Sequence, residues 1–165
     1  MIYSPFPKVG TMVKRLCFLI LSFIVLATTT AEARRYGGFE VGDQFKMKVT
    51  RVKSTRMEGF GGTPTRAAIH GKVPKFSKGK VIQFRIKSRG RLTGRKIRIP
   101  YAHSKGNEVE FNLSKGGTIS VTHNAAIIRK RGKASQCTLS YFVRDDSDEA
   151  TPVFYTVVYS LRAVR

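Results

Sequence analysis

Residues 80–101, KVIQFRIKSRGRLTGRKIRIPY, constrain the fold most. Ile82, Phe84 and Ile86 alternate with Gln83, Arg85 and Lys87, and further on Ile97, Ile99 and Tyr101 alternate with Lys96 and Arg98. A period of two with one apolar and one charged face is the pattern of a half-buried strand. The segment is expected to form two strands joined by a loop. That loop adds Arg89, Arg91 and Arg95, and no Asp or Glu interrupts the stretch.

The same alternation recurs along the chain. Phe45, Met47 and Val49 are expected to face inward, with Lys46 and Lys48 outward. This first strand reaches Val52 or Lys53. Val109, Phe111 and Leu113 alternate with Glu108, Glu110 and Asn112, after a turn expected at residues 103–106. If that strand lies beside residues 96–101, its glutamates share a face with Lys96 and Arg98. Short strands are expected around Ile119, Val121 and Ile127, and another row through Cys137, Leu139, Tyr141 and Val143. The last strand, Val153 to Ala163, is apolar on one row and carries Phe154 and Val158 on the other, which marks it as central. Residues 34–42 are Gly-rich and read as loose. Residues 54–80 are broken by Gly59, Gly61, Gly62, Pro64, Gly71, Pro74 and Gly79. That reads as loop, hiding a short strand near Arg66 to Lys72 or forming a mobile functional segment. No helical period and no internal repeat is evident. About eight short strands with frequent turns predict an all-β fold, a small antiparallel β-sandwich, with a small β-barrel as the alternative.

The N-terminus reads differently. Lys14 and Arg15 precede an apolar run from Leu16 to Ala27, and Ala31-Glu32-Ala33 follows. A basic start, an apolar run of about 12 residues and a small-residue site form a secretory signal peptide, too short for the ~20 residues of a membrane span. Residues 1–33 are expected to be cleaved, with Met12 as an alternative start. Residues 34–165 would remain as one soluble, exported domain without a transmembrane anchor. Cys17 sits inside the apolar run rather than at its end, which argues against a lipoprotein. Periplasmic or secreted localisation follows.

Cleavage leaves one cysteine, Cys137, flanked by alternating polar residues and expected to be a buried thiol. An internal disulfide is thereby excluded. Of the formal charge of +21, about +19 stays on the mature domain. Such a charge repels itself and attracts anions. Arg85, Lys87, Arg89, Arg91, Arg95, Lys96 and Arg98 form one candidate cationic site. Arg129, Lys130, Arg131 and Lys133 form a second, expected at a hairpin tip. Arginine forks match phosphate, sulfate and carboxylate oxygens.

Catalytic patterns are missing. His70, His103 and His123 show no paired ligand spacing, and neither a nucleophile elbow nor a Walker loop is present. No metal or cofactor is expected. The acidic cluster Asp145, Asp146, Asp148 and Glu149 lacks the regular spacing of a calcium loop. It is read as solvated or folded back on the basic face. The functional expectation is therefore a non-enzymatic binding protein holding an anionic envelope polymer, such as lipopolysaccharide, teichoic acid or an acidic glycan. Nucleic acid would bind nonspecifically in vitro, since aromatic residues are not interleaved with these cations. The alternative is a protein-interaction or structural component of the envelope, whose charge serves solubility or an acidic protein partner.

Overall fold

The computed structural model describes residues 35–147 and 151–164. The expected leader, its Met12 start, Cys17, the cleavage site, and Asp148 and Glu149 lie outside these residues. The described chain is almost wholly antiparallel β. In chain order the strands are β1 (Arg35–Tyr36), β2 (Phe39–Glu40), β3 (Gln44–Glu58), β4 (Thr65–Arg66), β5 (Val81–Ile86), β6 (Leu92–Gly94), β7 (Ile97–Ile99), β8 (Tyr101–Lys105), β9 (Glu108–Lys115), β10 (Ile119–Lys130), β11 (Lys133–Asp145) and β12 (Val153–Ala163).

β1 and β2 pair as a small hairpin. The others form one sheet in the order β7-β6-β5-β3-β12-β11-β10-β9-β8, with β4 added to β3. The two edge strands, β7 and β8, are separated in sequence only by Pro100. Two peptide units span at most about 7 Å between the flanking Cα atoms, so the sheet must curl until its edges meet. The Asn112 amide donates to the Pro100 carbonyl at 3.2 Å, carrying the β8–β9 pairing onto the linking residue. Proline has no N–H to offer the ladder, which suits it to a position between strands. The result is a nearly closed, barrel-like sheet.

The alternating rows fill its interior. Met47, Val49, Phe84, Ile86, Leu92, Ile99, Val109, Phe111, Ala125, Ile127, Leu139, Val143, Val157 and Tyr159 are fully buried. β12 occupies the middle of the strand order, between β3 and β11, as its two-sided apolarity predicts. Truncating a side chain such as Leu139 to Ala should cost about 2–5 kcal/mol in so closed a core.

Several expectations are corrected. The expected two-strand unit at 80–101 is a meander of three strands. β6 inserts between β5 and β7, with Ile86 opposite Leu92 and Leu92 opposite Ile99. β6 was hidden because three residues are too short to show a period. β3 runs on to Glu58, and the segment after it is not free. β4 pairs with Thr55 and Arg56, Val73 and Phe76 are buried, and the Tyr159 hydroxyl donates to the Pro74 carbonyl at 2.7 Å. Residues 101–105 are strand rather than turn. β9 lies beside β8 and β10, so its glutamates do not face Lys96 and Arg98. One strand, β10, replaces the short ones expected between 119 and 130.

The Gly-rich start of the domain is also ordered. Tyr36 packs edge-on against Tyr101 with ring centroids 5.9 Å apart, and Phe39 is 3 % exposed and stacks on Phe45 at 5.4 Å. Aromatic anchors hold a hairpin that its glycines alone would leave loose.

Candidate functional site

β5 sorts its side chains by burial. Ile82, Phe84 and Ile86 go inward, leaving Gln83 and Arg85 exposed on the outer face. Arg85 stands between Gln44 on one neighbour and Thr93 on the other, and Thr93 stands opposite Arg98. The Thr93 hydroxyl donates to the Arg85 carbonyl at 3.1 Å. Beyond Ile86 the chain turns through residues 87–91, closed by the Lys87 amide donating to the Arg91 carbonyl at 2.8 Å. Lys87 and Arg89 are exposed on this turn, and Arg91 is half-buried.

The second basic run is the tip of the β10–β11 hairpin. Lys130 pairs with Lys133, leaving Arg131 and Gly132 as a two-residue loop. Both have positive φ, 53° and 76°, as a hairpin loop with the favoured twist requires. Arg129 is half-buried. Its Nη2 donates to the Gly106 carbonyl at 3.4 Å, and its guanidinium lies 5.8 Å from the centre of the Phe39 ring. Its Nε is buried without a hydrogen-bond partner.

The β1–β2 hairpin brings the two runs together. A Cβ on Gly90 would collide with the Tyr36 ring, and one on Gly38 would collide with the Arg129 guanidinium. The hairpin thus touches the 87–91 turn on one side and Arg129 on the other. At position 90 only glycine permits so close an approach to the ring, and at position 38 a φ of 85° favours glycine. An open groove of about 720 Å³ runs along the same end of the sheet, with Phe39 and Phe45 in its floor and Lys46, Gln83 and Lys133 in its walls. Lys87, Arg89, Arg91, Arg129, Lys130, Arg131 and Lys133 therefore gather at one end, with Arg85 and Arg98 on the adjoining flank. Arg95 and Lys96 do not join them. They form the β6–β7 turn, which faces away from the 87–91 turn because consecutive turns of a meander alternate in direction.

Among the described residues, none of these eleven cations is ion-paired. The ion pairs among the described residues lie elsewhere. Arg56 meets Glu58 at 2.7 Å and Arg144 meets Asp146 at 2.9 Å, while His103 and His70 lie 3.5 Å and 4.0 Å from Glu110 and Asp145, pairs that carry opposite charges only when the imidazoles are protonated. Asp145 and Asp146 sit at the opposite end of the sheet. Hydrogen bonds from the Ser147 side chain and amide hold the Asp145 carboxyl below its ordinary pKa. The described part of the acidic cluster does not fold back on the basic face.

Among the described residues, three non-glycine residues have positive φ: Arg89 at 59°, Lys96 at 58° and Arg131 at 53°. A left-handed backbone costs a side chain with a Cβ about 1–2 kcal/mol, and Asn or Gly fits such turn positions better. All three sites carry a cation instead.

Other candidate chemistry is sparse. Cys137 is buried, and burial pushes its thiol up to about 12, which leaves it unreactive. His123 is half-buried against Tyr141, at 4.7 Å between ring centres. Burial and the Lys115 ammonium lower its pKa. No group of three potential metal ligands occurs among the described residues. No described helix is long and apolar enough to cross a membrane.

The sequence reading missed the outer face of β3 as a cationic surface. Arg51 and Lys53 follow Lys46 and Lys48 there, after a β-bulge between Ser160 and Leu161 on the β12 side. The phase break was visible, since Met47 and Val49 are odd-numbered and the next inward residue, Val52, is even-numbered. Compared with known protein families, curated proteins and solved structures, the chain matches none.

Proposed function

We propose that this protein is an exported, non-enzymatic binding protein that holds an anionic polymer of the cell envelope on its cationic end. Lipopolysaccharide, teichoic acid and acidic glycans carry the phosphate or carboxylate groups that such an end would engage. The observation that carries the reading is the meeting of two basic segments, about 40 residues apart in sequence, around the β1–β2 hairpin. The strained cationic turns add support: turn positions suited to Asn hold Arg at 89 and 131. Backbone strain of this kind concentrates at functional sites. The periplasmic or secreted location rests on the leader pattern alone. We also read the sheet as a barrel rather than a sandwich, because a single proline links its two edges.

Binding should be steeply salt-dependent. With duplex DNA as a test polymer and about six phosphates neutralised, affinity should fall ~10³-fold between 50 and 200 mM salt. Replacing Arg89, Arg91 and Arg131 by Gln should cut that fall to below about 10². An unchanged salt slope would refute the assignment.

A second reading, a protein-interaction or structural component, draws on a different surface. The outer positions from Thr122 to Ile128 on β10, from Gln136 to Phe142 on β11 and from Thr156 to Ser160 on β12 carry no charge, and Ile128 and Phe142 are exposed. Recovery of one defined protein at moderate salt, with no polymer binding, would favour it.

A further inference from the structure

A second cationic surface lies on the flank of the sheet, and its geometry differs from that of the cationic end. Up to Val49, β3 alternates with odd-numbered residues inward. Continued unbroken, that alternation would drive Arg51 and Lys53 into the core. The bulge prevents this. Val49 pairs with Leu161 and Arg51 with Ser160, so Thr50 is the extra residue. The Thr50 hydroxyl donates to the Ser160 carbonyl at 2.9 Å and fixes the irregularity. The phase then reverses, and Arg51 and Lys53 emerge outside while Val52 turns in. Bulges commonly re-aim a side chain in this way.

The bulge also opens the surface. A concavity of about 320 Å³ lies over β3, β12 and β11, lined by Thr50, Arg51, Gln136, Thr138, Ser160 and Arg162. A smaller one of about 190 Å³ continues from it, sharing Arg51 and Ser160 and adding Lys53 and Val158. Register explains the grouping. Ser160 stands opposite both Arg51 and Thr138, and Gln136 stands opposite Arg162. Two guanidinium groups thus flank a floor of hydroxyl and amide donors. Neither arginine has an ion-pair partner among the described residues, and neither Gln136 nor Thr138 has a side-chain hydrogen bond there.

We propose that this bulge concavity is a discrete site for a dianionic phosphomonoester, with Arg51 and Arg162 as the two forks and Lys53 and Val158 against the organic substituent. A phosphomonoester carries three acceptor oxygens and a charge of about −1.5 to −2 at pH 7. Paired arginine forks match both the oxygens and the charge. The site is separate from the cationic end and does not depend on its function.

The test is a titration of the full domain with glucose 6-phosphate, followed by amide and arginine side-chain NMR shifts at low salt. Saturable shifts should centre on Thr138, Ser160 and the Arg51 and Arg162 guanidinium groups. Arg51→Gln and Arg162→Gln should each weaken binding at least about tenfold. Arg51→Lys, which keeps the charge but loses the fork, should weaken it nearly as much. Glucose 6-sulfate, with one charge fewer, should bind more weakly. The Arg89, Arg91 and Arg131 to Gln variant should bind the monoester as the parent does. Shifts that map to the cationic end, loss of binding in that triple variant, full retention in Arg51→Gln, or equal affinity for the sulfate ester would each overturn the proposal.

Discussion

The two ends of the sheet are built from the same strands yet handle charge in opposite ways. At one end Glu58 and Asp146 are ion-paired with Arg56 and Arg144, the Ser147 amide and hydroxyl hold the Asp145 carboxylate, and Phe60 packs beside Arg144 and Phe154. At the other, Lys87, Arg89, Arg129, Lys130, Arg131 and Lys133 gather without ion-pair partners among the described residues. A charge that served solubility alone would gain from being spread out and locally compensated, because like charges in proximity repel. Concentrating it costs stability and is informative for that reason.

The largest effect should come from exchanging substitutions between the ends. Removing Arg89, Arg91 and Arg131 should collapse polymer affinity at 50 mM salt by about 10² or more, whereas Arg56→Gln with Arg144→Gln should leave it within about twofold. Asp145→Asn with Asp146→Asn should likewise leave it unchanged, since those carboxylates are engaged at the far end. Equal losses from both sets, read by fluorescence anisotropy, would dissolve the contrast and return the charge to a solubilising role.

A smaller effect tests geometry without altering charge. Tyr36 wedges the β1–β2 hairpin between Gly90 and Tyr101. Tyr36→Ala should loosen the hairpin and weaken polymer binding by about tenfold, through lost preorganisation. Smaller again is the effect of relieving the strained turns. Arg131→Asn creates an Asn-Gly hairpin loop and should raise Tm by about 3 °C, while weakening polymer binding. Lys96→Asn should give a similar rise in Tm with no change in binding, because its turn faces away from the cationic end. Loss of binding in Lys96→Asn would put the whole 80–101 stretch back into one site.

The contrast between the ends was only partly legible in the sequence. Strand alternation is a local signal, and it placed Ile82, Phe84, Ile86, Leu139 and Tyr159 in the core correctly. It also placed Arg129–Lys133 at a hairpin tip. What it could not carry was distance in space between distant segments. The approach of the 87–91 turn to Arg129 is set by Tyr36, Gly37 and Gly38, in a segment whose glycines read as slack. Closure of the sheet is set by one residue, Pro100, and no period records it. The β6 strand was masked by its length, and the reach of β3 by the phase reversal at Thr50. The separation of Arg95 and Lys96 from the other cations followed directly from missing β6, since an unseen strand reverses the direction of the turn beyond it.

The smallest effect concerns pH and separates binding from stability. His123 lies inward on β10, half-buried beside Tyr141, with its pKa lowered first by burial and then by Lys115. A histidine whose folded pKa lies below its unfolded value binds more protons when unfolded. Its contribution to stability is intact above the ordinary histidine pKa of about 6.5 and is lost as pH falls below it, down to the folded pKa. His123→Gln should therefore lose less Tm than the parent between pH 7.5 and pH 5. The difference should be smaller than the gain from the turn substitutions. Polymer affinity over the same range should be the same in both proteins, because His123 lies outside the cationic end and the cations there are Lys and Arg, whose charges do not change over that range. If His123→Gln altered polymer binding at pH 5, the interior beside Lys115 would have to communicate with the cationic end, and the two ends could no longer be treated as independent.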